Sequence, residues 1–210
     1  MVEYLLGGTM CGLLNIMAVL GLIRQIKRLD AENSLPEQVK IKEYIMFFLC
    51  GALSYRGIAI STIALVGLSV YLAFMAYTDY HTKHVYSFFS YLFFVAGACY
   101  LFLMSENWKA ELLCFLLFGL IAMLGFVVKA YTLGDVEIYV ALYPYFMKFF
   151  FADHVTEERF LQVISWYLLT LFVSVVTSIN IRKFKFNKTK AMAPVISFTF
   201  VMAMLAYHYL

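Results

Sequence analysis

Residues 112–128 read LLCFLLFGLIAMLGFVV, a run that is apolar throughout and contains no charged side chain. Apolar runs close to 20 residues long are the segments that cross the hydrocarbon core of a bilayer as helices. They recur along this chain of 210 residues, which is 64% hydrophobic and 14% charged, whereas soluble domains are about 45–50% apolar and about 25% charged. The composition excludes an ordinary soluble domain and predicts a membrane protein.

The apolar runs predict an all-α fold, a polytopic bundle of about eight transmembrane helices in one membrane-embedded domain over residues 1–210. The second run is shorter than a bilayer core requires, so we expect it to tilt, to re-enter the membrane or to continue into its neighbour. The predicted spans are residues 4–23, 44–56, 58–78, 85–104, 110–130, 136–151, 160–181 and 191–210.

The basic residues predict the orientation, since Lys and Arg near helix ends stay on the cytoplasmic side. Loop 182–190 holds five basic residues and no acid, and loop 24–43 holds another five. Alternating crossings then place loop 79–84 inside as well and both termini outside. The predicted location is the plasma membrane, with the lipid bilayer as one partner. The net charge of +3 is concentrated in two loops and does not indicate binding to nucleic acid.

Two aspartates are the candidate catalytic residues, because ionisable groups in or beside membrane helices are costly and mark functional sites. Asp79 ends the third predicted span and Asp135 opens the sixth, so the predicted topology places both carboxylates at one depth on the cytoplasmic side. Two carboxyl groups within a few ångströms share one proton and can activate water for peptide hydrolysis. Gly134, which has no Cβ, lets a backbone or a substrate strand come close to Asp135.

Other interpretations of these acids stay open. An Asp at a helix end is often a cap or an interfacial residue in contact with water, and buried acids also serve proton-coupled transporters. His81 and His84 have no third ligand near them in the sequence, and we expect them in a solvated loop. The four cysteines form no Cys-x-x-Cys pair, so the sequence predicts no metal and no cofactor.

The segments around the two aspartates resemble the motifs of the type IV prepilin peptidase family and its preflagellin peptidase relatives, which are membrane aspartyl peptidases of the Gly-x-Gly-Asp type. After Asp79, residues 82–86 (Thr-Lys-His-Val-Tyr) are similar to the family's basic stretch and aliphatic-Pro pair. Residues 132–138 (Thr-Leu-Gly-Asp-Val-Glu-Ile) are similar to its Gly-x-Gly-Asp-x-Lys motif. Residues 12–15 (Gly-Leu-Leu-Asn) and 193–196 (Ala-Pro-Val-Ile) resemble its Gly-Ser-Phe-Leu-Asn and Pro-Phe-x-Pro-Phe segments.

The resemblance implies that Asp79 and Asp135 are the catalytic pair, with Gly134 as the motif glycine. It also implies that the substrates are type IV prepilin-like precursors, whose leader is cut at the cytoplasmic membrane face. The methyltransferase activity of longer family members is not expected, because residues 24–43 are too few to form the domain that binds S-adenosylmethionine.

Three positions depart from the family motifs. Thr132 stands in place of the first motif Gly, Glu137 in place of the Lys, and Tyr86 in place of the Pro. Lys83 and Lys129 are the candidates to supply the missing positive charge. The departures also motivate an alternative function, a non-catalytic relative that binds pilin-like helices.

Overall fold

The computed structural model describes residues 2–30, 35–55, 57, 60–127, 131–149, 156–180, 185–186 and 192–209. Over these residues the chain is helical apart from one antiparallel pair of two-residue strands, which confirms the predicted helical class. The elements are α1 (Val2–Leu29), α2 (Ile41–Ala52), α3 (Ile60–Thr82), α4 (Ser87–Met104), α5 (Trp108–Val127), α6 (Leu133–Phe149), α7 (Thr156–Ser178), β1 (Ile179–Asn180), β2 (Lys185–Phe186) and α8 (Ala193–Tyr209).

Three helical segments of the described chain are long and apolar enough to cross a membrane, namely Glu3–Leu29, Thr62–Thr82 and Trp108–Val127. Shorter apolar segments lie in α4, α7 and α8. The 12 residues of α2 extend only about 18 Å, which is less than the hydrocarbon thickness of about 30 Å. The helices are therefore consistent with a membrane protein, and the short second run corresponds to a short helix.

Two helices, α1 and α2, extend beyond their predicted spans into the loop that joins them. α1 continues to Leu29 and α2 begins at Ile41, so the predicted loop 24–43 is helical at its two ends. The basic residues in this continuation of α1, Arg24, Lys27 and Arg28, are good helix formers. The change from apolar to basic residues therefore does not mark the end of the helix.

α3 also extends beyond its predicted span, and this places Asp79 within a helix. α3 runs to Thr82, so most of the predicted loop 79–84 is the last turn of a helix. In the predicted loop 182–190, β2 pairs with β1, and the other residues of that loop lie outside the described part of the chain.

The contacts within the chain divide it into two compact units, Met1–His84 and Val85–Leu210, where the sequence predicts one domain. The first unit contains α1, α2 and α3. Its closest contact is between α1 and α2, where small residues let the two backbones approach. A Cβ on Gly51 would lie 2.6 Å from the backbone oxygen of Cys11 and 3.0 Å from the Cα of Gly12. Such contacts between small residues are typical of helix pairs in membranes.

One buried polar side chain links all three helices of the first unit. Asn15 of α1 is 0% exposed. Its Nδ2 donates to the backbone oxygen of Phe47 in α2 at 2.5 Å, and its Oδ1 accepts from Ser69 Oγ of α3 at 3.2 Å. A polar group buried among apolar side chains needs such partners. Asn15, the Asn of the motif-like segment 12–15, therefore holds this three-helix unit together.

The second unit is built around α6, which packs against α4, α5, α7 and α8. Nearly every side chain from Val136 to Met147 is buried, as expected for a helix that is surrounded on all sides. α5 instead buries one face against its neighbours. Its other face exposes large apolar side chains, which fits contact with lipid. These exposed side chains include Leu113, Leu116, Leu120 and Leu124.

We expect Gly51→Ala to destabilise the first unit, because the new methyl group would press on the backbone of α1. Overpacking of this kind costs about 1–3 kcal/mol, which outweighs the gain in helix propensity of about 1 kcal/mol. The matched control is Gly21→Ala, where a Cβ would meet no atom within 4 Å. Thermal unfolding of the detergent-solubilised protein measures both variants. Equal melting temperatures would contradict the close α1–α2 contact.

Candidate active site

Asp135 is held at the start of α6 by the residue that precedes the helix. Both the backbone N–H and the hydroxyl of Thr132 donate to Asp135 Oδ2, at 2.8 and 2.7 Å, and the Asp135 N–H lies 3.3 Å from Thr132 Oγ1. This reciprocal pattern is a capping box. Asp135 is only 2% exposed, so Thr132, a departure from the family motif, fixes the orientation of a buried carboxylate.

Gly134 is in close contact with Val85, the aliphatic residue of the first motif. A Cβ on Gly134 would lie 2.8 Å from Val85 Cβ and 3.1 Å from Val85 Cγ2. Neither atom lies at the end of a flexible side chain, so a larger residue at position 134 would have to displace the backbone. The glycine therefore allows the segment before α4 to pack against the start of α6.

Tyr131 anchors the segment that leads into the capping box, a role that the sequence motifs do not predict. Its N–H donates to the backbone oxygen of Gly125 at 3.3 Å, and its hydroxyl accepts a hydrogen bond from Tyr139 at 3.1 Å. Its ring also packs against Tyr167 of α7. Burial raises the pKa of the Tyr131 phenol above its ordinary range. In the sequence, this role is indicated only by one aromatic residue directly before Thr132.

Asp79 lies in the last turn of α3 and is 6% exposed. Its backbone oxygen accepts a hydrogen bond from the N–H of Lys83 at 3.0 Å. Lys83 has a φ of +61°, the left-handed conformation that commonly ends a helix. Lys83 Nζ donates to the backbone oxygen of Tyr80 at 3.2 Å. Lys83, one candidate for the missing motif cation, thus caps α3 directly after Thr82 and four positions after Asp79.

A hydrogen bond between His81 and Glu43 connects the last turn of α3 to the first turn of α2. Nε2 of His81 lies 2.9 Å from Oε1 of Glu43, and each side chain is 12% exposed. Oε2 of Glu43 accepts from the N–H of Lys40 at 2.8 Å, so Glu43 also caps α2. The expectation that His81 lies in a solvated loop is wrong, because α3 continues past it and packs its ring between Tyr77 and Tyr80.

The remaining predicted site residues are Glu137 and Lys129. Glu137 lies on α6 two positions after Asp135, and residues at this spacing do not face each other on a helix. Oε2 of Glu137 is buried and has no hydrogen-bond partner among the described residues. Lys129 lies outside the described residues.

The structure thus gathers Thr132, Gly134 and Asp135 against Val85 in the second unit. In the first unit it places Asp79 beside the capping contacts of Lys83. The pairing of the two carboxylates stays a prediction. Within the described ranges, no three His, Cys, Asp or Glu side chains cluster as metal ligands. The chain matches no family model, no curated protein and no solved structure.

We expect Gly134→Ala to destabilise the second unit, because its methyl group would overlap the side chain of Val85. The cost of such overpacking is about 1–3 kcal/mol, seen as a lower melting temperature in detergent. Gly119→Ala in α5 is the matched control, since a Cβ there meets no atom within 4 Å. Adding Val85→Gly to Gly134→Ala removes the overlapping atoms and recovers part of the loss. A melting temperature equal to that of the control variant would refute the contact.

Proposed function

We propose that the protein is a membrane-embedded aspartic endopeptidase that removes the leader of type IV prepilin-like precursors, with Asp79 and Asp135 as its catalytic residues. The observation that carries the proposal is the burial of both acids at helix ends. Asp79 is 6% and Asp135 2% exposed. Removing a carboxylate from water costs free energy, so two buried acids within motif-like segments support a chemical role.

The proposed reaction uses the two carboxyl groups in different protonation states. The ionised group takes a proton from water while the water oxygen attacks the scissile carbonyl carbon, and the protonated group donates to the carbonyl oxygen. When the tetrahedral intermediate collapses, the C–N bond breaks and a proton passes to the leaving nitrogen. The reaction requires no metal and no organic cofactor.

The proposed topology is the eight-span bundle with its basic loops in the cytoplasm. Two crossings, α4 and α5, separate the end of α3 from the start of α6, so both aspartates face the same side. The 17 residues of α6 extend about 26 Å, a length that a slightly thinned bilayer accommodates. In the plasma membrane this arrangement suits a substrate with an apolar helix in the bilayer and a leader in the cytoplasm.

A second candidate function is a non-catalytic relative that binds pilin-like helices. The capping box favours it, because Asp135 then has a role in the structure that does not depend on chemistry. This candidate predicts that precursor and protein associate without any cleavage. Asparagine at position 79 or 135 would then leave the association unchanged.

We expect Asp79→Asn and Asp135→Asn each to abolish leader removal from a prepilin-like precursor in nanodiscs. Loss of one acid or base costs about 100- to 10,000-fold in rate. Gel mobility and the new amino terminus of the product measure cleavage. Asp30→Asn, the same substitution just after α1, serves as the control and keeps wild-type activity. Undiminished cleavage by either aspartate variant would exclude the proposed catalytic pair.

The pairing of the carboxylates can be measured without activity. In a chain whose four native cysteines are replaced by alanine, we expect Asp79→Cys with Asp135→Cys to be joined by a short bismaleimide. The pair Glu106→Cys with Asp135→Cys is the control and stays unlinked, because the 20 residues of α5 between these positions extend about 30 Å. If both cysteines at 79 and 135 react with a monofunctional maleimide and yet are never joined, the shared site is disproved.

A further inference from the structure

Both hydrogen bonds from Thr132 go to the same oxygen of Asp135, and both favour one protonation state. The N–H and the hydroxyl of Thr132 donate to Oδ2 at 2.8 and 2.7 Å. Hydrogen bonds to an ionised carboxylate are about twice as strong as those to a neutral group. Donors aimed at one carboxylate oxygen therefore stabilise the charged form relative to the protonated form.

The position of Asp135 on α6 acts in the same direction. The helix begins at Leu133, so Asp135 lies in the first turn. The unpaired N–H groups of a first turn give it a partial positive charge, which favours an anion there. The capping hydrogen bonds and the helix terminus thus act together on one side chain.

Burial acts in the opposite direction, because Asp135 is only 2% exposed and removal from water favours the protonated form. The hydrogen bonds from Thr132 and the helix terminus offset this cost, and the neighbouring phenols add no charge to it. The phenol of Tyr131 interacts electrostatically with Asp135, and Tyr131 in turn contacts Tyr139 of α6 and Tyr167 of α7. Phenols have an ordinary pKa of about 10, so all three are neutral when carboxyl groups titrate. Glu137 is on a different side of α6.

The charged residues of the helices packed against α6 lie near helix ends. α4 has none over Ser87–Met104. In α5, Glu111 interacts with Tyr143, which lies eight positions after Asp135 on α6. The charged or titratable positions of these helices are Lys109 and Glu111 in the first turn of α5, Glu157, Glu158 and Arg159 in the first turn of α7, and His208 near the end of α8.

We propose that Thr132 is a positioning residue that holds Asp135 ionised, so that Asp135 takes the proton from water and Asp79 is the protonated member of the pair. The assignment of the base rests on the proposed peptidase function. A glycine at position 132, as in the family motif, provides only the N–H. The hydroxyl of Thr132 adds a second donor, so this departure from the motif strengthens the distinction between the two acids.

Infrared titration in nanodiscs tests the hydrogen-bond effect without substrate. The protonated carboxyl band that is absent from Asp135→Asn belongs to Asp135. Thr132→Val keeps the shape of the side chain and removes the hydroxyl, whereas Thr132→Ser keeps it. We expect the band to appear about one pH unit higher in Thr132→Val than in the wild type. In Thr132→Ser we expect the band to appear at the same pH as in the wild type. A carboxyl band that appears at the same pH in Thr132→Val and in the wild type would overturn the proposal.

Leader cleavage tests the role of Asp135 as the base. Loss of the hydroxyl makes Asp135 easier to protonate, so the acidic limb of the kcat/KM profile, which reports the free enzyme, moves to higher pH in Thr132→Val by the same amount as the infrared band. Thr132→Ser restores the wild-type profile. A lower melting temperature with an unmoved limb would mean that Thr132 is only a cap, which overturns the proposal. Absence of cleavage by the wild type refutes the peptidase function and the base role, while the infrared result still decides the hydrogen-bond effect.

Discussion

The cost of removing charged and polar groups from water is the constraint on which this structure depends. An apolar chain in a bilayer offers few partners apart from backbone groups, and unpaired backbone groups occur mainly at helix ends. The acids of interest lie there: Asp79 in the last turn of α3 and Asp135 in the first turn of α6. Asn15, which lies deeper within its unit, instead takes partners from two neighbouring helices. Asn15 and Asp135 are thus located where hydrogen-bond partners exist.

Glycine makes two of these locations accessible, because the absence of a Cβ at Gly51 and Gly134 allows close packing there. Gly51 allows α2 to reach the backbone of α1 beside Asn15, so the close helix contact and the polar link support each other. Gly134 allows Val85 to reach the start of α6 beside Asp135. In both units a glycine lies next to a buried polar residue, and the close contact of Gly134 with Val85 gives this glycine a role in packing.

The apolar runs predict the helical class and the approximate positions of the helices, since hydrophobic length determines which segments can lie in lipid. They do not predict where α3 ends, because a helix continues beyond its apolar residues until its backbone is capped, here at Lys83. The hydrogen bond between Glu43 and His81 could not be predicted either, because it joins residues 38 positions apart. The Thr132–Asp135 capping box is different. Its spacing is visible in the sequence, but comparison with the family motif presents Thr132 only as a missing glycine.

The structural role of Asp135 is compatible with the catalytic role that we propose for it, because the two roles use different parts of one group. An ionised carboxylate has about four acceptor sites on two oxygens, and Thr132 directs both of its hydrogen bonds to Oδ2. The acceptor capacity of Oδ1 is left to other contacts, among which the proposal includes the attacking water. A base must remain ionised until it acts and must not rotate away from its substrate. The capping box meets both requirements, since the bonds that start α6 also fix the charge and the direction of the carboxylate.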